Sequence, residues 1–276
     1  MASLIQSSNT PSPIISAFYS IKWFHEMFDF NSPTNSNLVK NILEAAKRRL
    51  AKPVVKKEPM TIDFLGKMYS DLFVEGNIKN QRTICACLLA YSGFLRSEEL
   101  LKLRRCDILF NLVYMSLFIE SSKTDKYRDG AWILIARTGT LLCPVLNLER
   151  YFSWANIDCD SDTYIFCHLT GTKNGYKVRK DGKHLAYSNL RTLFLESLKP
   201  HVKDVSRYCL HSLRSGGATS AANRGIPDRL FKRHGRWRSE SAKDGYVKDS
   251  VDERLKVSLS LGLEDKSIMF KQNYCL

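Results

Sequence analysis

A single pair of alternating runs interrupts a chain whose other periodic segments repeat at helical spacing. Leu112–Glu120 and Ala131–Ala136 alternate, with Val113, Met115, Leu117 and Ile119 on one face and a polar turn, residues 121–130, between them. Alternation of this kind marks half-buried strands, so the pair reads as a β-hairpin with a long loop. Elsewhere the period is helical. In Asn80–Tyr91, Ile84, Cys87, Leu88 and Tyr91 fall at i, i+3, i+4 and i+7, and Gly93 can supply a left-handed stop. Ile14–Met27 carries Ile14, Phe18, Ile21, Phe24 and His25 at helical spacing until Asn31, Ser32 and Pro33 break it. Asn37–Leu50 places Leu38, Ile42 and Ala45 on one face, and further helices are expected over Ser97–Leu103, Leu148–Trp154 and Tyr187–Leu198. From His211 onward the chain reads as helical with breaks at Gly225 and Gly235. The expected fold class is mainly α with a small antiparallel β-sheet.

The 276 residues suffice for one large domain with a smaller piece attached, and 44% hydrophobic against 25% charged residues is an ordinary globular balance. A boundary is expected near residue 57. Residues 1–57 hold two helices and a basic linker, too little to make a domain, and read as the last part of a larger helical one. Residues 58–276 are continuous, with no repeat or low-complexity stretch. Lys and Arg outnumber Asp and Glu by 42 to 28, a formal charge of +14. An excess spread along the chain points to a basic groove for a polyanion, nucleic acid before an acidic membrane surface. The basic string Lys47, Arg48, Arg49, Lys52, Lys56 and Lys57 is either a solvated linker or a strap along phosphates.

Eight cysteines are present without a C-x-x-C pair, most among apolar neighbours, so reduced and mostly buried thiols are expected rather than disulfides or zinc. No secretory start and no long uncharged apolar run occurs, and the chain reads as intracellular, with no membrane partner. Asp158, Asp160 and Asp162 alternate like the start of a calcium loop but lack its glycine and terminal glutamate, and no glycine-rich phosphate loop is present. Residues 221–225 followed by a helix imitate a helix-turn-helix.

Five short elements carry the chemistry. Arg96 follows Gly93-Phe94-Leu95, with Glu99 one turn later; Lys123 lies in the hairpin turn within Ser122-Lys123-Thr124-Asp125. His211-Ser212-Leu213-Arg214 opens a small-residue helix, Gly235-Arg236-Trp237 follows, and Tyr246 comes nine residues after Trp237. Taken singly, each has an ordinary explanation: a capping arginine, a turn lysine, a core histidine, a packing tyrosine. In this order they resemble the tyrosine recombinase (phage integrase) family, whose signature is Arg, Lys, H-x-x-R, His or Trp, then Tyr. The likeness runs in detail from about Thr61 to Val247. The strings His211–Thr219 and Lys232–Trp237 look most like recombinases of Crypton and DIRS-type mobile elements. The helical segment before residue 57 resembles the end of that family's core-binding domain.

The resemblance implies DNA strand cleavage and rejoining through a 3′-phosphotyrosine, with double-stranded DNA as substrate and assembly into dimers or tetramers on it. Arg96 and Arg214 would fork onto the non-bridging oxygens, whose charge grows in the transition state. His211, three residues before Arg214 on one side of a helical turn, would donate to an oxygen or take the proton of Tyr246, the nucleophile. Lys123 would protonate the leaving 5′-oxygen. Trp237 would pack against Tyr246 and bond phosphate through its indole N–H, and Glu99 would orient Arg96. The step from Gly235 to Tyr246 is one residue longer than usual, so counting from the glycine selects Arg236 in place of Trp237. A phosphotyrosine conserves the energy of the bond it replaces, so no metal, ATP or other cofactor is implied. The rivals are a catalytically silent DNA-binding protein on the same fold and a type IB topoisomerase. The cell compartment follows the DNA: intracellular, and nuclear in a eukaryote. Finally, Asp249–Leu263 can form a helix with Val251, Leu255, Leu259 and Leu263 along one face, which docks either on its own domain or on a neighbouring subunit.

Overall fold

The structure, a computed structural model, describes residues 2–53, 55–122, 129–173, 175–179 and 181–261. The chain divides into two compact units at the Lys56–Lys57 bond.

The first unit is helical: α1 (Ala2–Ser7), α2 (Ser12–Met27) and α3 (Asn37–Arg49). Pro33 opens a single 3₁₀ turn, with the Ser32 hydroxyl accepting from Thr34 N at 3.3 Å. Its small core joins Ile14 and Phe18 of α2 to Leu43 and Ala46 of α3. Both expected faces therefore need correction. Ile21 and Phe24 are exposed, and so are Leu38 and Ala45. Apolar residues occur in adjacent pairs along α3 (38 and 39, 42 and 43, 45 and 46), which draws two overlapping rows. The row that packs is the one shifted by one residue, with Leu43 and Ala46 buried and Val39 and Leu50 half-buried beside them.

The second unit is built around α5 (Ile78–Ser92), after α4 (Ile62–Leu72). Every residue from Gln81 to Ala90 is buried, polar ones included. Burial of Gln81 and Arg82 is offset in part by long-range hydrogen bonds, although Gln81 Oε1 and Arg82 Nε stay without a partner among the described residues. Gln81 Nε2 donates to the Asn147 carbonyl at 2.9 Å, and Arg82 Nη1 donates to the Cys167 carbonyl at 2.5 Å. Next come α6 (Ser97–Leu101) and an antiparallel three-stranded sheet of β1 (Ile108–Phe110), β2 (Tyr114–Ile119) and β3 (Ala131–Ala136). The hairpin is thus part of a larger sheet, with Leu117 facing Ile108 on one side and Ile133 on the other. Met115, Leu117 and Ile119 are buried, but Val113 is exposed in the turn that Asn111 N closes onto Tyr114 O at 2.8 Å. Helix α7 (Pro144–Ala155) packs on α5, and β4 (Leu169–Thr172) pairs with β5 (Gly175–Val178) as a small polar ribbon.

Helices α8 (Tyr187–Leu198), α9 (His211–Ala222), α10 (Asp228–Gly235), α11 (Glu240–Asp244) and α12 (Val251–Leu259) complete the described chain. Two glycines set how closely α9 is approached. A Cβ on Gly217 would stand 2.0 Å from the Tyr91 carbonyl oxygen, and one on Gly216 2.1 Å from that of Met60. Side chains there would push the N-terminal half of α9 off the end of α5, which is where the site forms. Among the described residues α12 buries nothing: Val251, Leu255 and Leu259 are exposed, and Leu263 lies outside them. Cys85, Cys87, Cys143 and Cys167 are buried, Cys209 is half-buried, and Cys106 and Cys159 are exposed.

Candidate active site

Helix α5 ends at Ser92, and the next four residues steer the chain into the site. The left-handed residue is Phe94 (φ 46°), not Gly93 (φ −92°), which corrects the expected glycine stop. Space at Gly93 is tight instead, since a Cβ there would stand 3.1 Å from the Leu89 carbonyl oxygen and 3.2 Å from the Leu95 side chain. The turn leaves Arg96 extended just before α6, and Glu99 folds back onto it. Arg96 N donates to Glu99 Oε2 at 2.8 Å and Arg96 Nη1 to Oε1 at 2.7 Å.

Glu99 also receives groups distant in sequence. Arg236 Nη2 donates to Oε2 at 2.6 Å, and Arg214 Nη1 stands 3.9 Å from the same oxygen. Burial by itself would raise the Glu99 carboxyl, but Arg236 together with the backbone N–H and guanidinium of Arg96 outweighs it. The net result lies below the usual carboxylate range, so a buried anion holds three cations together.

Arg214 is fully buried. Nη1 donates to the Phe94 carbonyl and Nη2 to the Gly235 carbonyl at 2.8 Å. Its Cζ lies 4.8 Å from the Tyr246 ring centre and 5.0 Å from that of Trp237. Burial first, then repulsion from Arg96, lowers its pKa to about 10, which leaves it cationic at neutral pH. His211 stands at the start of α9, its ring centre 4.9 Å from that of Tyr246. Surrounding protein, then Arg214 and Arg96, push the imidazole below the ordinary histidine value against the opposing pull of Glu99. The uncharged imidazole is thereby favoured, with a lone pair open to a proton.

The Gly-Arg-Trp string has a local physical reason. Gly235 ends α10, and a Cβ there would lie 1.9 Å from the Trp237 ring, so the indole can fold back over the helix end only across a glycine. Arg236 turns the chain at φ 57° and Trp237 is buried, 5.4 Å between ring centres from Tyr246. The ring beside Tyr246 is thus that of Trp237, while the Arg236 guanidinium lies on Glu99. Trp237 Nε1 is buried and has no hydrogen-bond partner among the described residues. Tyr246 follows α11 in a turn rather than within a helix. Thr219 Oγ1 donates to the Tyr246 carbonyl at 3.3 Å and accepts from Lys248 N at 3.1 Å.

Five of the six residues singled out for chemistry therefore come together: Arg96 and Arg214 on Glu99, the Trp237 and Tyr246 rings on Arg214, and His211 beside Tyr246. The sixth, Lys123, lies outside the described residues. The flanking Ser122 lines two hollows. One, of roughly 400 Å³, is bounded by Arg96, Glu99, Lys102 and His211; the other, of roughly 280 Å³, by Lys232, Arg233, Arg236 and Arg238. Of the basic string, Arg48, Arg49 and Lys56 are exposed, Lys47 pairs with Glu44 at 2.6 Å, and Lys57 Nζ donates to the Ser206 carbonyl. Of the alternating acidic triplet, Asp162 pairs with Arg104, while Asp158 and Asp160 group with Cys159 at the exposed surface, their side-chain ligand atoms within 4.8 Å of one another. Sequence reasoning missed Thr219 and the pairing of Arg236 with Glu99; the extra residue between Gly235 and Tyr246 was the one available sign of the latter.

No protein-family model matches the chain. An integrase/recombinase XerD homologue from Selenomonas ruminantium is 25% identical over 218 residues, 79% of this chain and 61% of its own length. Among solved structures, the Tn1549 transposon integrase bound to transposon right-end DNA superposes with a TM-score of 0.61 at 13% identity, over 94% of this chain and 81% of that one. The fold is that of a tyrosine recombinase catalytic domain. The XerH site-specific recombinase in its post-cleavage complex with palindromic difH gives a TM-score of 0.55 at 15% identity, over 77% of this chain and 55% of that one. The sequence likeness to the XerD homologue supports the tyrosine recombinase/integrase family, and the solved structures share the fold. The chain spans about three fifths of the length of the curated relative it matches. Among the described residues no helix is long and apolar enough to cross a membrane.

Proposed function

We propose that this protein cuts and rejoins double-stranded DNA through a covalent bond to Tyr246. The observation that carries the reading is the packing, within one unit, of the Trp237 and Tyr246 rings on the Arg214 guanidinium, with the His211 ring beside Tyr246 and Arg96 joined through Glu99. The Tyr246 oxygen attacks phosphorus and its proton passes to His211. The bond to the 5′-oxygen breaks, and that oxygen leaves with a proton from Lys123. Arg96 and Arg214 neutralise the charge gathering on the two non-bridging oxygens. Attack by a 5′-hydroxyl from another strand reverses the sequence and frees Tyr246. No step consumes a nucleotide or needs a metal. Recombination or integration of a mobile element is the setting that the His211–Thr219 and Lys232–Trp237 strings favour.

The test is trapping on a nicked duplex, where the short fragment carrying the 5′-hydroxyl diffuses away and religation fails. The expected product is a denaturant-stable, protease-sensitive adduct whose DNA-linked peptide, sequenced by mass spectrometry, carries the nucleotide on Tyr246. Attachment at any other residue refutes the assignment, and absence of an adduct favours the silent DNA-binding reading. Relaxation of supercoiled DNA without exchange of partners would instead favour a topoisomerase.

Residues 1–57 serve in this reading as part of a helical clamp, with Lys47, Arg48, Arg49, Lys56 and Lys57 along the phosphates and activity wherever the cell keeps its DNA. The exposed apolar stripe of α12 is reserved for a neighbouring subunit on DNA. Deleting the residues beyond Val247 is then expected to remove dimers and tetramers on paired-site DNA in gel-shift assays while single-site binding persists. Intact higher complexes would show that the stripe plays no part in assembly.

A further inference from the structure

Arg236 occupies a backbone conformation that glycine adopts without strain and arginine does not. Its φ of 57° and ψ of 36° lie in the left-handed region, where the Cβ crowds the following carbonyl. A non-glycine residue kept there points to something its side chain does. That side chain is nearly buried and its terminal nitrogens are fully committed. Nη1 donates to the Gly93 carbonyl at 3.3 Å and the His234 carbonyl at 3.2 Å; Nη2 donates to the Phe94 carbonyl at 3.2 Å and Glu99 Oε2 at 2.6 Å. Only its Nε–H is left without a partner among the described residues, and that atom is buried away from the surface. Two of these acceptors also serve the candidate phosphate-binding arginines: Phe94 O takes Arg214, and Glu99 takes Arg96.

Resting on the cleavage reading, we propose that Arg236 is a positioning residue that sets Arg96 and Arg214 for the phosphate without touching it. By holding Oε2, it fixes the plane of the Glu99 carboxylate, so that Oε1 faces the Arg96 guanidinium. By sharing the Phe94 carbonyl, it fixes the left-handed turn from which Arg96 departs and on which Arg214 rests. The extra residue between Gly235 and Tyr246 is therefore a strut, and the ring beside Tyr246 remains that of Trp237.

The test separates the guanidinium from the backbone by using Arg236→Gly, since glycine suits the left-handed turn. DNA affinity and single-turnover cleavage of the nicked duplex are measured for wild type, Arg236→Gly and Arg236→Lys, with and without low-millimolar guanidinium chloride. Arg236→Gly is expected to keep its DNA affinity and to cleave about 100-fold more slowly, the loss that a small misplacement of reacting groups brings. Guanidinium is expected to restore much of the rate, and lysine, which lacks the planar fork, to restore less. An unchanged rate overturns the proposal. A loss of affinity matching the loss of rate would make Arg236 a DNA contact, and a loss that guanidinium leaves untouched would make it a pillar of the fold; either result overturns it too. A wild type that forms no adduct refutes the cleavage reading, and the positioning role is then decided in the DNA-free protein. There, rotation of the Arg96 guanidinium, followed by ¹⁵N NMR, must quicken in Arg236→Gly and slow again with guanidinium, and unaltered rotation defeats the positioning role alone.

Discussion

Arg214→Ala is expected to cleave the nicked duplex about 10²–10³-fold more slowly than wild type, the usual cost of removing a donor aimed at developing oxyanion charge. The same substitution should also weaken the fold. Arg214 is wholly buried, and its removal strips the Gly235 carbonyl of its donor, takes one of two from Phe94, and leaves the Glu99 anion with one cation fewer. Breaking a buried charged cluster in this way costs about 3–5 kcal/mol. For a unit of this size that lowers Tm by about 10 °C. Arg214→Lys divides the two effects. Its ammonium keeps the charge and should recover part of the stability, but it cannot reach the Phe94 and Gly235 carbonyls together and present a fork to phosphate. Single-turnover kinetics beside thermal melts provides the check. A lysine variant with the wild-type rate would mean that Arg214 acts through charge alone.

Lys123→Ala is expected to slow cleavage by about 10²–10⁴-fold, the range for losing a general acid. A duplex with bridging sulfur in place of the 5′-oxygen distinguishes proton donation from simple binding, because a thiolate leaves without being protonated. On that substrate the variant should cleave nearly as fast as wild type. The hollows on either side of the hairpin base are rimmed by Arg96, Lys102, Arg233 and Arg238. A lysine that merely added to that charge would show the same defect with oxygen and with sulfur, and this result would remove Lys123 from the chemistry.

The residues brought together at the site were legible in the sequence because their chemistry is written in short strings. His211 and Arg214 need only a helical turn to share a side, and Arg96 and Glu99 only the start of a helix. What the sequence hid was the pairing at long range. Nothing local says that Glu99 meets Arg236 as well as Arg96, since the two are 137 residues apart and joined only when α9 and α10 fold over the end of α5. The small elements were hidden for a different reason. Three residues are too few for β1 to show an alternation, and β4 and β5, with no fully buried residue, have no apolar face to reveal them. In α4 the helical row of Leu65, Met68, Tyr69 and Leu72 is complete but covers only two turns, and Gly66 beside it lowers the local helix propensity. The second strand of the hairpin coincides with the expected Ala131–Ala136, whereas the first starts at Tyr114 rather than Leu112, because Val113 obeys the turn instead of the strand.

The cover over Arg214 has a consequence for selectivity. A cell holds inorganic phosphate and nucleotides in far greater abundance than any DNA site, and an open pair of arginines would be occupied by them almost continuously. Here the guanidinium has no solvent-facing surface, and the Tyr246 ring is part of what closes it off. A lone phosphate ion gains too little from one contact to displace that ring, whereas a duplex gripping the surface at many points can. On the cleavage reading, the group that attacks also covers the cation that would meet the phosphate, so the Tyr246 ring must shift from Arg214 before both can act.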